Sequence, residues 1–449
     1  MHAGAPQTTI FALATATGRA GVAVVRVSGP ESWKSLQRLA ARTGFVPRVA
    51  QLHVLRDPVS HETLDHALVL PFLGPASYTG EDVVEYHIHG GRAVIESLLG
   101  ALSREQGHRL AEPGEFTRRA FESGKMDLTE AEAVADLIEA QTSAQKIQAL
   151  SQLGGALSNL YQGWAGNLTR LLAHVEADIE FPDEALPEGI APEVLTQIKD
   201  LYCAIQGHCH DNRRGERLRE GLQIAVIGAP NAGKSSLVNA LAQRDVAIVS
   251  DVAGTTRDVI EAHLDIGGYP VIVSDTAGLR PEQVTAQGDG IEREGIRRAY
   301  LRAQDADVTV LVFDGTDPLG PDPYTLALID DRSLLVTNKM EDASAKNRVT
   351  GAIALSVHTE EGLQTFLEAL KSRLDQMMVS RETPSLTRKR HRTALEEVLH
   401  ALERALAGVL PELLAEDLRL ALRSLGRITG RVDVEEVLDV IFKDFCIGK

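Results

Sequence analysis

A single short loop constrains this 449-residue chain more than any other feature: Gly228-Ala229-Pro230-Asn231-Ala232-Gly233-Lys234-Ser235. It fits G-x-x-x-x-G-K-[ST], directly after the apolar run Gln223 to Ile227 and before a helical run. Such a loop wraps backbone N–H groups around phosphates at a helix N-terminus. Lys234 is placed to neutralise the β- and γ-phosphates, and the Ser235 hydroxyl to coordinate Mg²⁺. The surrounding sequence repeats the same rhythm: LQIAVIGAP, YPVIVSD, DVTVLVFDG, RSLLVTNK and GAIALSV alternate with helical stretches. Near-continuous apolar strands of that kind predict a parallel α/β sheet.

The nucleotide is indicated by three further landmarks. Asp275-Thr276-Ala277-Gly278 ends a strand, where a carboxylate reaches Mg²⁺ through water and the Gly278 N–H contacts the γ-phosphate. Between it and the phosphate loop lies Gly254-Thr255-Thr256-Arg257-Asp258, with Thr256 as the Mg²⁺-ligating switch threonine. Asn338-Lys339-Met340-Glu341 resembles the guanine-reading N-K-x-D, in which a carboxylate accepts the ring N–H and exocyclic amine of guanine. Glu341 stands where Asp is usual, and Asp342 is the alternative acceptor. Ser356, Val357 and His358 occupy the segment that closes on the base. This is the chain order of a translation-factor-type GTPase. The nucleotide-binding set comprises Asn231, Ala232, Gly233, Lys234, Ser235, Ser236, Gly254, Thr255, Thr256, the 275–278 turn and the two base-side segments. Leu279 follows Gly278 where Ras-like enzymes carry a water-orienting Gln, so hydrolysis requires another group or is very slow.

Charge gives the chain its first map. The 63 acidic and 46 basic residues leave a net −17, which excludes a broad basic face that coats nucleic acid. Segment 1–120 is near neutral at +1, 121–220 and 221–379 are each −9, and 380–449 is neutral. Texture changes at similar places. The first segment reads as α+β, the second as helical and the third as the inserted α/β unit, while the fourth is helical again, so the two helical flanks are expected to pack together. Thr129 is expected to cap the first helix of the second segment, with Glu132 completing a capping box. The Arg388-Lys389-Arg390-His391-Arg392 run leaves room for local RNA contact. Three cysteines cannot build a disulfide framework, and no leader or membrane span is expected, which predicts a cytoplasmic protein.

These motifs, together with GRAGVAVVRVSG (18–29), YTGEDVVEYHIHGG (78–91), EPGEFTRRAFESGKMDLTEAEAVADLIEA (112–140) and the terminal Phe445-Cys446-Ile447-Gly448-Lys449, resemble the MnmE (TrmE) family of tRNA-modification GTPases over essentially the full length. The resemblance implies an N-terminal folate-binding and dimerisation domain (1–120) and a discontinuous helical domain (121–220 and 380–449). A Ras-like GTPase domain (221–379) is inserted between the two helical parts. It implies that Ser250, Asp251, Val252 and Ala253 join the nucleotide-binding set as a potassium loop, with K⁺ beside the phosphates held by Asn231, Ser250, the Val252 carbonyl and Thr255, and a water-orienting Glu292 with Glu294 as fallback. Arg26, Glu85, Lys125 and Lys449 match positions that hold a 5-formyl-tetrahydrofolate-type ligand. Cys446 matches the family's terminal motif, close to that ligand. The implied partners are a second copy, tRNA, and the flavoprotein MnmG in a heterotetramer or larger complex, with FAD on MnmG alone. A ribosome-assembly GTPase and a folate-binding scaffold with a weakly active G domain are the alternatives.

Two other constellations read as structural. His87 and His89 share one strand face without a third metal ligand, and Cys203, His208, Cys209 and His210 lack zinc-knuckle spacing and read as a solvated helix end.

Overall fold

The computed structural model describes residues 8–180, 192–244, 261–275, 301–341, 349–378, 384–408, 410–432, 438, 441–443 and 445–448. They form two compact units, one of Met1–Ala135, Leu153–Ile190 and Ala407–Lys449, the other of Asp136–Gln152 and Ala191–Leu406. No described helix is long and apolar enough to cross a membrane.

The first unit is built on a six-stranded sheet of order β3-β4-β5-β2-β1-β6, where β1 is Thr9–Leu13, β2 Ala20–Ser28, β3 Gln51–Arg56, β4 Thr63–Phe72, β5 Val83–Gly90 and β6 His108–Leu110. Only the β1–β6 pair is parallel. Alternation decides its two faces. Ala23, Val25 and Val27 of β2 join Val84, Tyr86 and Ile88 of β5 beneath helices α1 (Ser32–Leu39) and α2 (Arg92–Ser103). Arg26 and Glu85, at intervening positions, are direct cross-strand partners. Both lie within their strands.

Helices α3 (Glu115–Glu122), α4 (Leu128–Glu139) and α6 (Ala156–Glu180) follow in this unit, while α5 (Ser143–Leu153), between α4 and α6 in sequence, belongs to the second. The cap expected at Thr129 lies at Asp127 instead. The Asp127 carboxylate accepts from the N–H groups of Thr129 and Glu130, and Glu130 returns a bond to the Asp127 N–H at 2.8 Å. Reciprocal pairing of this kind satisfies donors that the first turn leaves unmade, and Glu132 is instead buried. A second box, Thr142 with Gln145, starts α5, and Gly155 at φ +82° precedes α6. Within this unit α6 packs along α13 (Pro411–Thr429), burying Tyr161, Leu168, Leu171, Leu418 and Leu425.

The second unit holds the expected α/β sheet, in the order β12-β11-β10-β7-β9-β8. These strands are β7 Leu222–Gly228, β8 Glu261–Ile266, β9 Tyr269–Asp275, β10 Val308–Asp314, β11 Ser333–Asn338 and β12 Ile353–Ala354. All pairs are parallel except β8 with β9. Ile224 and Val226 of β7 face one apolar cluster while Ala225 and Ile227 face another, which is why the strand reads as an unbroken apolar run.

Helices α7 (Pro192–Cys209), α8 (Arg214–Glu220), α9 (Lys234–Ala242), α10 (Pro323–Leu326), α11 (Leu363–Met377) and α12 (Lys389–Ala407) complete the unit. The flanks meet as expected: Tyr202 of α7 donates to Glu403 of α12 at 2.6 Å.

Two expectations are corrected here. Within the basic run Arg388 pairs with Asp136, Arg392 pairs with Asp211 and Glu216, and His391 is fully buried, so these three hold the helices together and the room for outside contact narrows to the exposed Lys389 and half-buried Arg390. The end of α7 is solvated only in part: Cys203 and His210 are exposed and Cys209 is half-buried. His208 is 5% exposed, and burial pushes its pKa down to about 4 and the Cys209 thiol up to about 11.

Candidate active site

Four parallel strands end on one edge of the second sheet, at Gly228, Asp275, Asp314 and Asn338. In sheets of this kind the loops beyond the carboxyl ends hold the ligand. The phosphate loop leaves β7 and enters α9, whose first residue is Lys234. Asn231 takes φ +65° and Gly233 φ +96°. A Cβ on Gly233 would strike the Asn338 amide nitrogen, and one on Gly228 would strike the Val312 carbonyl oxygen. Close approach therefore requires both glycines, and Gly233 is required by its backbone angle as well. The Lys234 ammonium donates to the carbonyls of Gly228 at 3.0 Å and Ala229 at 2.8 Å, which holds it over the loop. Ala232 is buried, Ser235 partly exposed, and Asn231 and Ser236 exposed.

The base-reading segment is joined to this loop by one side chain. Asn338, 3% exposed, donates to the Ala232 carbonyl at 2.9 Å and accepts from the Val357 N–H at 3.2 Å. It thus binds together the phosphate loop, its own motif and the Ser356–His358 segment. Ser356 is buried and its hydroxyl accepts from the Thr359 N–H. Lys339 adopts φ +63° and its ammonium pairs with Asp314 at 2.6 Å. Glu341 is exposed. The structure therefore gathers the phosphate loop, Asn338, Lys339, Glu341 and the 356–358 segment at one sheet edge. Asp275 is placed by its strand. Ser250 to Thr256, Thr276 to Gly278, Leu279, Glu292, Glu294, Asp342 and Lys449 lie outside the described residues.

A second cluster lies in the first unit. Arg26 meets Glu85 in two contacts, 3.0 Å from Nε and 2.9 Å from its terminal nitrogen. The guanidinium is flanked by the rings of Tyr78 at 5.1 Å and Phe116 at 5.7 Å, a geometry that attracts a cation to the ring faces. Burial raises the Tyr78 pKa against the opposing hydrogen bond from Thr117 and the charge of Arg26. Lys125 donates to the Pro75 carbonyl at 2.9 Å and its stem lies beside Gly80, so Arg26 and Lys125 contact the same 75–80 loop. His87 approaches the second oxygen of Glu85 at 3.7 Å, and His89 pairs with Asp65. Cys446 is exposed. The chain around it is tied to the sheet unit by the Pro113–Ile447 bridge and by Gly448, which lies against the Leu13 carbonyl.

Sequence reading missed Tyr78, Phe116 and Asp314. Tyr78 and Phe116 stand inside quoted motifs without a charge to single them out. Asp314 had a signal, because it is the polar end of an otherwise apolar strand.

Residues 128–446 match the family description "MnmE helical domain", and residues 9–125 match "GTP-binding protein TrmE N-terminus". The tRNA modification GTPase MnmE of Rhodospirillum rubrum is 54% identical over 457 residues, covering 98% of this chain and 99% of that protein. That of Parvibaculum lavamentivorans is 53% identical over 446 residues, covering 98% and 100%. The mitochondrial 5-taurinomethyluridine-[tRNA] synthase subunit GTPB3 of Danio rerio is 46% identical over 474 residues, covering 98% and 93%.

Proposed function

The chain belongs to the MnmE (TrmE) family of tRNA modification GTPases, and from that premise we propose a potassium-stimulated GTP hydrolase that works with the flavoprotein MnmG. Together they would build a carboxymethylaminomethyl or aminomethyl group on C5 of the wobble uridine of certain tRNAs. The observation that carries the nucleotide half is the phosphate loop locked to Asn338, because it joins phosphate and base recognition in one rigid edge. The uridine half is supported by the name of the Danio rerio relative, which specifies a 5-substituted tRNA uridine. We further assign the domains as 1–120, 121–220, 221–379 and 380–449, and the location as cytoplasmic.

The residues fit a magnesium nucleotide. Ser235 stands in the first turn of α9, beside Lys234 and the glycine cradle, where its hydroxyl would ligate Mg²⁺ together with Thr256. For K⁺, the exposed Asn231 would supply one oxygen, joined by Ser250, Val252 and Thr255. A monovalent cation there would offset charge developing between the phosphates. Glu292 would orient the attacking water, in place of the glutamine that Leu279 excludes. Folate would lie at Arg26, Glu85, Lys125 and Lys449. A cation and a carboxylate beside two aromatic rings suit a flat heteroaromatic ligand with an N–H edge and a carboxylate tail. The active form would be a homodimer whose G domains meet across their nucleotides.

GTP turnover in matched KCl and NaCl tests the potassium reading. Turnover is expected to be at least about 10-fold faster in KCl, a transition-state gain of about 1.4 kcal/mol, and Asn231→Ala is expected to erase the difference. Equal rates in the two salts would sink it. The pathway reading is tested by mass spectrometry of tRNA nucleosides from a deletion strain complemented with this chain. Unrestored wobble-uridine modification would count decisively against it.

A further inference from the structure

We propose that Asp314, outside every nucleotide motif of the chain, is a positioning residue for guanine recognition, acting through Lys339. The inference rests on the guanine-binding reading above and deepens it.

Asp314 ends β10 and is the direct register partner of Asn338 on β11. Its two carboxylate oxygens do different things. One accepts from the N–H and hydroxyl of Thr316, at 2.9 and 2.7 Å, which fixes the carboxylate to its own turn. The other takes the Lys339 ammonium at 2.6 Å, and the carboxylate is only 16% exposed. Burial opposes its ionisation, but the bonds from Lys339 and Thr316 outweigh burial and hold its pKa below the usual range. The backbone repeats the connection. The Gly315 N–H donates to the Asn338 carbonyl at 2.9 Å, and a Cβ on Gly315 would meet that oxygen at 2.9 Å and the Met340 sulfur at 3.0 Å. The 314–316 turn is therefore a template against which residues 338–340 are moulded.

This template matters because Lys339 holds a left-handed backbone at φ +63°, which an ordinary L-residue adopts only at a cost in free energy. The Asp314 pair offsets that cost and keeps the turn. Lys339 separates Asn338, which faces the phosphate loop, from Glu341, the carboxylate offered to the base. A released ammonium would be two residues from that carboxylate and could neutralise it in place of the guanine N–H donors. Asp314 thus fixes the direction of the reading segment and keeps the Glu341 charge available for the base. Glu341 is one methylene longer than the usual Asp, so its aim depends more heavily on the turn before it.

The test is a titration of the full-length protein with GDP, IDP and ADP. IDP keeps the ring N–H of guanine but lacks the exocyclic amine. The wild-type chain is expected to prefer GDP over IDP and to discriminate strongly against ADP. Asp314→Asn, nearly isosteric and still able to accept from Thr316, is expected to weaken GDP at least about 10-fold and to shrink the GDP-to-IDP preference at least about 5-fold. A residue that merely stabilised the fold would lower both affinities alike and leave the ratio unchanged. Lys339→Met supplies the second arm: in that background Asp314→Asn is expected to add less than about 2-fold. An unchanged GDP-to-IDP ratio in Asp314→Asn, or full additivity with Lys339→Met, overturns the inference. Equal wild-type affinity for GDP and ADP would overturn the guanine reading instead, so the two failures are distinguishable.

Discussion

Gly233→Ala is expected to remove measurable GTP binding, with an affinity loss of at least about 100-fold. Two independent costs combine at this residue. Its φ of +96° is left-handed, and a Cβ would strike the Asn338 amide nitrogen. The first costs roughly 1–2 kcal/mol. The second cannot be relieved locally, because moving Asn338 breaks its bonds to the Ala232 carbonyl and the Val357 N–H. Together they exceed about 3 kcal/mol, which corresponds to about two orders of magnitude in binding. Gly320→Ala is the control. Gly320 lies in the same unit at φ +87°, yet nothing lies within 4 Å of an added Cβ. It is expected to lower the unfolding temperature slightly and to leave GTP affinity within about 2-fold, as backbone strain without a clash would. Isothermal titration of both variants decides the matter. Equal losses would show that strain alone, and not the contact with Asn338, sets the phosphate loop.

The contrast between these glycines also marks what the sequence could and could not reveal. The phosphate loop was legible because its chemistry is local: eight consecutive residues carry the pattern and the strand and helix around it. Central strands were legible because burial on both faces writes an unbroken apolar run. Strand β8 was not singled out, since Glu-Ala-His-Leu-Asp-Ile at the sheet edge lacks the unbroken apolar run that marks the central strands. The cap at Asp127 was displaced by two residues because Asp, Thr and Glu crowd one turn there, and only geometry says which oxygen reaches which N–H. The basic run 388–392 was misread for a different reason. Its carboxylate partners lie 176 to 252 residues earlier in the chain. No window along a sequence holds such a pair. The role of Asp314 was hidden in the same way, behind an apolar strand and 25 residues from Lys339.

Those distant pairs lead to the largest expected loss of stability. Arg392 donates to Glu216 at 2.8 Å and Asp211 at 2.9 Å, side chains only 2% and 5% exposed. Arg392→Met is expected to destabilise the second unit by about 3 kcal/mol, because it leaves the buried Asp211 carboxylate without its cation and Glu216 with Arg213 alone. Arg392→Lys restores the charge without the planar fork that spans both partners, so an intermediate loss is expected. The same cluster carries a pH dependence of definite sign. Burial, reinforced by Arg392 and His391 and opposed by Asp211, lowers the His208 pKa to about 4 from the ordinary 6.5. Between those values the unfolded chain binds a proton that the folded chain refuses. Stability therefore falls as pH drops through that window, by an amount on the order of 3 kcal/mol when the fall is complete. His208→Leu is expected to flatten this slope in urea unfolding between pH 6.5 and 4 while Cys209 and Arg392 remain in place. An unchanged slope would assign the acid sensitivity to other groups. The cluster joins α7 and α8, which precede the inserted α/β sheet, to α12, which follows it. Arg217 of α8 pairs with Asp307, just before β10, so the cluster sits at the amino-terminal ends of β7 and β10, and its loss is expected to loosen these helices before the sheet itself unfolds. Hydrogen exchange that opens β7 and β10 before α7 and α12 would contradict that order.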